Sequence, residues 1–282
     1  DDRGAVWVGH FQAGLDYSLY QNGLFRTYDY PPLFNSANLS IRSFVNKGQE
    51  KVIGSRDGLF YINEATGVVK SFVKPVLTSD LILTICFYQG EYYIGTYGGG
   101  MMVLNPETLS LKYFAQGDTE LFQKGHIFCV KPDAKGNLWI GTSQGLFSYN
   151  GQTKQIKSFT SANSQLPEGN VYEVSFDSTG KGWIATETGM CIYDPASQSL
   201  RSNVFPEGFV NKDKVRTIYE DAEHNLYFIR EKGSLFTSTL TMDRFQNRSI
   251  FSTLPDNSLM SVIEDNQGWL WVACNDGVLR IK

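Results

Sequence analysis

His10, Phe11, Arg56, Tyr97, His126, Asn170, Glu187, Arg230, Glu231 and Asn275 are the side chains of this sequence best placed to do chemistry. What they offer is binding more than bond breaking. Aromatic faces beside hydrogen-bonding groups at a concave mouth suit a polar, ring-shaped ligand. Asp80 and Lys214 add charge at matching places. Carboxylates that cleave glycosides must face one another across the substrate, and Glu187 and Glu231 are the candidates for such a pair. The phrase GTSQG at 141–145 fits the G-x-S-x-G pattern of serine hydrolases, but that motif needs a strand, a sharp turn and a helix. Here it joins two strand-like runs, and sister segments put Arg56, Tyr97 or Glu187 where Ser143 stands. YGGG at 97–100 is followed by no Lys–Ser/Thr pair, so no phosphate loop is expected. The three histidines are His10, His126 and His224, and no HExxH or EF-hand pattern appears. Neither a metal nor a cofactor is expected, and no catalytic residue is assigned.

These candidates are the variable positions of a repeat. A small residue follows an aromatic or β-branched pair at Gly9, Gly54, Gly95, Gly141, Ala185 and Ala273, with Ile229 departing from the pattern. The spacings are 45, 41, 46, 44, 44 and 44 residues. A period of about 44 is that of four-stranded propeller blades. Each unit runs in one order. An apolar strand is followed by a turn with Asp and Gly three apart, as in Asp133–Gly136, Asp177–Gly180 and Asp265–Gly268. Such residues tolerate the backbone angles of a hairpin turn. A second strand such as LWIGT, a short loop ending in Gly, a third strand and a fourth strand ending in an aromatic complete the unit. The expected fold is therefore all-β: a seven-bladed β-propeller of four-stranded antiparallel blades, one domain over residues 1–282. The first and last blades are expected to be incomplete.

Recurring residues are expected to be structural. A small marker lets a neighbouring sheet approach closely, and Trp7, Tyr93, Trp139, Trp183, Tyr227 and Trp271 beside it should fill space between blades. Glu220–Asp221 and Glu264–Asp265 recur at strand ends and belong to the turns. In an up-and-down blade the loop into the first strand and the loop between the second and third share one face. The candidates named above sit on those loops and should ring one mouth.

Bulk properties narrow the classes. The net charge is -4, which is not the basic footprint nucleic acid demands. No apolar run approaches the roughly 18 residues of a membrane helix. Cys86, Cys129, Cys191 and Cys274 are far apart and form no CxxC pair, so buried free thiols are expected over a zinc site. The chain opens without a signal peptide and its repeats are out of phase at both ends, so a piece of a longer protein is expected.

Asp133 to Thr153 reads D-x-x-G-x-L-W-I-G-T-x-x-G-L-x-x-Y-N-x-x-T, and Val6 to Tyr20 is written in the same style. This phrase resembles the two-component regulator propeller repeat. The departures are the absence of the Asp–Gly turn in units two and three and LYFIRE at 226–231 in unit six. The resemblance implies the periplasmic sensor part of a hybrid two-component histidine kinase and response regulator. It implies detection of oligosaccharide fragments and control of polysaccharide-utilisation genes, without catalysis by this domain. The partners it implies are an oligosaccharide, the remaining domains of the same sensor chain and a second copy in a homodimer. The membrane would be met only through segments outside this chain. Two rival readings stay open: a scaffold propeller for domain or dimer contacts, and a propeller glycosidase or lyase.

Overall fold

A computed structural model describes residues 6–10, 14–18, 25–27, 40–115, 117, 119–202, 214–230, 235–239, 246–247, 259–274 and 277–281. The chain divides into two compact units. One comprises residues 1–132 with 150–156, the other 133–149 with 157–282.

The strands form up-and-down antiparallel sheets in chain order. Val6–His10, Gly14–Ser18 and Phe25–Thr27 make a three-stranded sheet. Four strands each follow over 41–72, 82–113, 127–159, 171–201 and 215–247. Leu259–Glu264, Leu270–Cys274 and Gly277–Ile281 make a second three-stranded sheet. This corrects the expected fold class. The chain is an all-β propeller whose blades have four or three strands rather than seven of four: among the described residues five sheets have four strands, and the first and last have three. The marker residue counts second strands. A sheet that lacks its first or fourth strand still has a second one, so the marker alone does not separate a three-stranded blade from a four-stranded one.

The repeated phrase has a physical basis in each of its letters. Asp177 accepts backbone N–H bonds from Thr179 at 2.9 Å and Lys181 at 3.0 Å through Oδ1. Its Oδ2 accepts the indole N–H of Trp183 at 2.8 Å. Asp133 binds Trp139 in the same way at 2.9 Å, Asp265 binds Trp271 at 2.7 Å, and Asp221 binds the Tyr227 hydroxyl at 2.9 Å. The carboxylate closes the hairpin and also satisfies the polar atom of a buried aromatic. His224, at the place of the turn glycine, takes a φ of 65°. The hydroxyls of Thr142 and Thr186 donate to the carbonyls of Gly145 and Gly189 at 2.8 and 2.9 Å, tying off the next loop.

Small markers sit where neighbouring sheets meet. In the first unit a Cβ on Gly54 would lie 2.5 Å from Ile82 Cγ2, and one on Gly95 would lie 2.7 Å from Ile127 Cγ2. Leu59, Tyr61, Ile82, Tyr92 and Ile94 form one buried core there. In the second unit Trp183, Met190, Ile218 and Phe228 form another. Of the aromatics expected between blades, Tyr93, Trp139, Trp183, Tyr227 and Trp271 are buried, whereas Trp7 is half-buried.

Carboxylates at strand ends clasp adjacent sheets. Glu220 accepts the N–H and the hydroxyl of Ser178, both at 2.7 Å. Glu264 accepts the N–H of Ala222 at 2.7 Å. Glu50 accepts the hydroxyls of Tyr61 and Tyr92 at 2.7 and 2.9 Å.

Candidate functional site

The loop between the second and third strands is bonded to the residue leading into the first strand of the same sheet. The N–H groups of Arg56, Tyr97 and Glu187 donate to the carbonyls of Ser40, Leu81 and Asn170, each at 3.0 Å. The three residues are thus equivalent positions, and their side chains are exposed. His10 ends the strand Val6–His10; its side chain, with Phe11, Glu231 and Asn275, lies outside the described residues. Ser143, the remaining member of this set, is half-buried in a strand-to-strand loop, which is not the setting of a nucleophile.

In the first unit, Tyr97 and His126 come together. Their rings stack with centroids 4.0 Å apart and planes at 26°. Tyr97 remains 50% exposed, while the Nδ1 atom of His126 is buried without a hydrogen-bond partner. The sequence makes this loop unlike its sisters. Thr96 is followed by Tyr97, Gly98, Gly99 and Gly100, one residue more than the loop after Thr142. Thr78 and Ser79 donate their hydroxyls to the carbonyls of Gly99 and Tyr97 at 2.6 and 2.8 Å. Gly100 takes a φ of 70°, and a Cβ there would collide with the Phe122 carbonyl. That carbonyl belongs to a short helix, Thr119–Lys124, whose Leu121 and Phe122 are buried. Gly100 also donates its N–H to the Gly125 carbonyl at 2.9 Å. Helix and loop together fix the two rings. Sequence reading missed the helix: six residues carry too short a periodic signal. Asp80 lies on the segment leading into the first strand of this sheet and accepts the Lys74 N–H at 2.7 Å.

In the second unit, Asn170 and Glu187 come together with two further residues. The Asn170 N–H donates to Glu187 Oε2 at 3.3 Å, and its Nδ2 donates to the Tyr172 hydroxyl at 3.0 Å. The Lys214 ammonium lies 4.6 Å from the centroid of the Tyr172 ring, a cation–π contact. Tyr172 went unnoticed in the sequence. It falls between Val171 and Glu173, where the strand register shifts in a β-bulge, and a bulge re-aims a side chain. The same shift recurs between Ile82 and Thr84, Val215 and Thr217, and Leu259 and Ser261. Arg230 closes the strand Asn225–Arg230 and is only 8% exposed. Burial holds its guanidinium below its ordinary value.

Ser178, Glu220 and His224 form a cluster of hydrolase-like composition. Ser178 Oγ lies 2.7 Å from Glu220 Oε1 and 3.2 Å from His224 Nδ1, which is itself 2.7 Å from Glu220 Oε1. A nucleophilic serine needs its base on one ring nitrogen and the orienting carboxylate on the other. Here both partners meet Nδ1, so the cluster is a clasp between sheets. None of the four cysteines is in a disulfide, and Cys86, Cys129 and Cys191 are buried. Among the described residues no group of His, Cys, Asp and Glu is arranged to hold a metal ion.

Comparison with known proteins agrees with the repeat. Residues 122–144 and 253–276 match the two component regulator propeller. The resemblance carried by the repeat is therefore shown at these two segments. The chain also superposes on the extracellular domain assigned to the hybrid two component system BT4673 from B. thetaiotaomicron. There the TM-score is 0.77 and the identity 17%, over 99% of this chain and 36% of that one. The corresponding domain of BT3049 from the same organism gives 0.62 and 21%, over 99% and 44%. The Cps50 (Swd1) β-propeller domain of Myceliophteria thermophila gives 0.69 and 10%, over 100% and 95%. These likenesses establish the propeller fold. The chain spans less than half the length of the two B. thetaiotaomicron domains it matches. No curated protein matches it. Among the described residues no helix is long and apolar enough to cross a membrane.

Proposed function

We propose that this two component regulator propeller segment is part of the extracytoplasmic sensor region of a hybrid two-component signalling protein, and that it recognises a short oligosaccharide. The observation that carries the reading is the half-exposed Tyr97 ring stacked on His126. An exposed aromatic held flat by a second ring is a preformed stacking face for a sugar, and the loop that holds it is built unlike its sisters. Preorganisation of this kind lowers the cost of binding. Asn170, Tyr172, Glu187 and Lys214 offer a comparable polar-aromatic cluster in the second unit. Binding would be passed on through the remaining domains of the sensor chain or a second copy of it, to control polysaccharide-utilisation genes.

The test is the melting temperature of the chain against plant, fungal and host oligosaccharides. Ligand at about 100 times its Kd should stabilise the chain by about 2.7 kcal/mol. One saccharide class should give a shift that Tyr97→Ala abolishes. A flat panel would overturn the reading and favour a scaffold propeller, for which the exposed Val73 and Val76, 45% and 58% accessible, would supply contact surface.

A further inference from the structure

A groove of about 640 Å³ opens between the outer strands Ile156–Phe159 and Ser199–Arg201 of adjacent sheets. It lies wholly within the second unit and shares no residue with either loop cluster. Its size falls in the roughly 300–1,000 Å³ range of small-ligand sites. Phe159 and Leu200, 4% and 3% exposed, form its buried base. Above them stand Lys157, Gln165, Gln198 and Arg201, all exposed.

The polar groups are arranged across the groove, not along one wall. The Lys157 ammonium donates to the Gln198 carbonyl at 3.3 Å and lies 4.8 Å from the centroid of the Phe159 ring. Gln165 Oε1 accepts the Ser202 N–H at 3.2 Å. Arg201 Nη2 lies 3.3 Å from Asp194 Oδ2, a contact that uses part of a guanidinium with five N–H donors. Among the described residues no carboxylate lines the groove itself. Two cations, the three primary amides of Asn163, Gln165 and Gln198, and the hydroxyls of three serines around one opening are the complement of an anion that also carries many hydroxyl groups.

We infer that this groove binds a short acidic saccharide. Its carboxylate or sulfate sits against Lys157 and Arg201, and its hydroxyls meet the amides of Gln165 and Gln198. The inference is independent of the Tyr97 platform.

Calorimetric titration of the chain with three sets of di- to tetrasaccharides tests it: uronate-bearing, sulfated, and neutral sugars of the same length. An acidic set should bind saturably and the neutral set should not, and the better of the two acidic sets identifies the anion. Affinity should fall with rising salt. The K157Q/R201Q double variant should lose about tenfold or more in affinity, whereas Tyr97→Ala should bind the acidic sugar unchanged. Its melting midpoint would show that the double variant is folded; if it is not, Lys157→Gln alone carries the same expectation. Absence of binding by both acidic sets, equal binding of neutral sugars, or full affinity in the folded variant would overturn the inference. Loss of acidic-sugar binding in Tyr97→Ala would move the site to the other unit and overturn it as well.

Discussion

The indole of Trp183 and the carboxylate of Asp177 are joined at 2.8 Å, six residues apart in sequence and both buried. Trp139 with Asp133 and Trp271 with Asp265 repeat the relationship. The Asp of the turn and the Trp of the following strand are therefore one structural unit. Asp177→Ala leaves the indole N–H and two backbone N–H groups without their acceptor. Leaving buried donors unpaired costs about 1–3 kcal/mol, and a urea midpoint should fall accordingly. Asp57→Ala, at an exposed loop position, should change stability by about 0.5 kcal/mol or less.

Acid should act through Asp265. Burial pushes Asp265 up, but hydrogen bonds from Trp271, Trp269 and Gln267, with the nearby Arg280, outweigh it and hold the group below its ordinary 3.8. A depressed folded value means stability that is present above the unfolded value and lost as pH falls through the folded one. Stability followed from about pH 5 downward should begin to fall near about pH 4. Asp265→Asn should be less stable at neutral pH and show a smaller acid-dependent loss.

At Gly54 the added Cβ of an alanine would meet Ile82 at 2.5 Å. Overpacking of this kind costs about 1–3 kcal/mol. Gly54→Val should cost more than Gly54→Ala in a thermal or denaturant midpoint. Gly136→Ala meets no atom within 4 Å, yet its φ of 79° makes it unfavourable through backbone strain alone.

Tyr97→Ala removes an exposed ring that stacks on His126. Its effect on stability should be small, about 0.5–1.5 kcal/mol at most. Saccharide affinity should fall by about tenfold, ~1.4 kcal/mol, and Tyr97→Phe should retain most of it. A variant that binds as well as the parent would separate this ring from recognition.

Thiol accessibility offers a check on the core. Burial pushes Cys86 up to about 11 despite the opposing charge of Lys131, and burial raises Cys191 as well. The thiolate is the reactive form. At about pH 8, near the ordinary thiol value, a chromogenic disulfide reagent should modify Cys274, which is half-buried, well before Cys86 or Cys191. Release of the slower thiols should track unfolding.

Much of this fold is written in single residues. Asp133, Trp139 and Gly145 are each needed for a local reason, so they recur and can be read without coordinates. The fourth strand is different, because it can be as short as Gln246–Asn247, whose two residues carry no period. The site divides along the same line. Tyr97, His126, Asn170 and Glu187 were legible because they vary where the repeat is constant, and the structure pairs Tyr97 with His126 and Asn170 with Glu187. Tyr172 was hidden because a bulge, not a sequence pattern, turns it into the cluster. Arg230 is buried because it stands directly after the marker residue, at the place in the repeat that Ser55, Thr96, Thr142 and Thr186 hold in their sheets, all of them buried as well.

The clasps formed by Glu220 and Glu264 reach back 42 residues to Ser178 and Ala222. Each one ties a sheet to its predecessor. Such a chain of neighbours behaves as a one-dimensional lattice, in which stability is a sum of local and nearest-neighbour contributions. A partner that prises open one clasp loosens the adjoining sheet first, and torque applied at one sheet is handed along the series like tension through links. Cooperativity in this unit is then local and reciprocal, shared between adjoining sheets at each clasp.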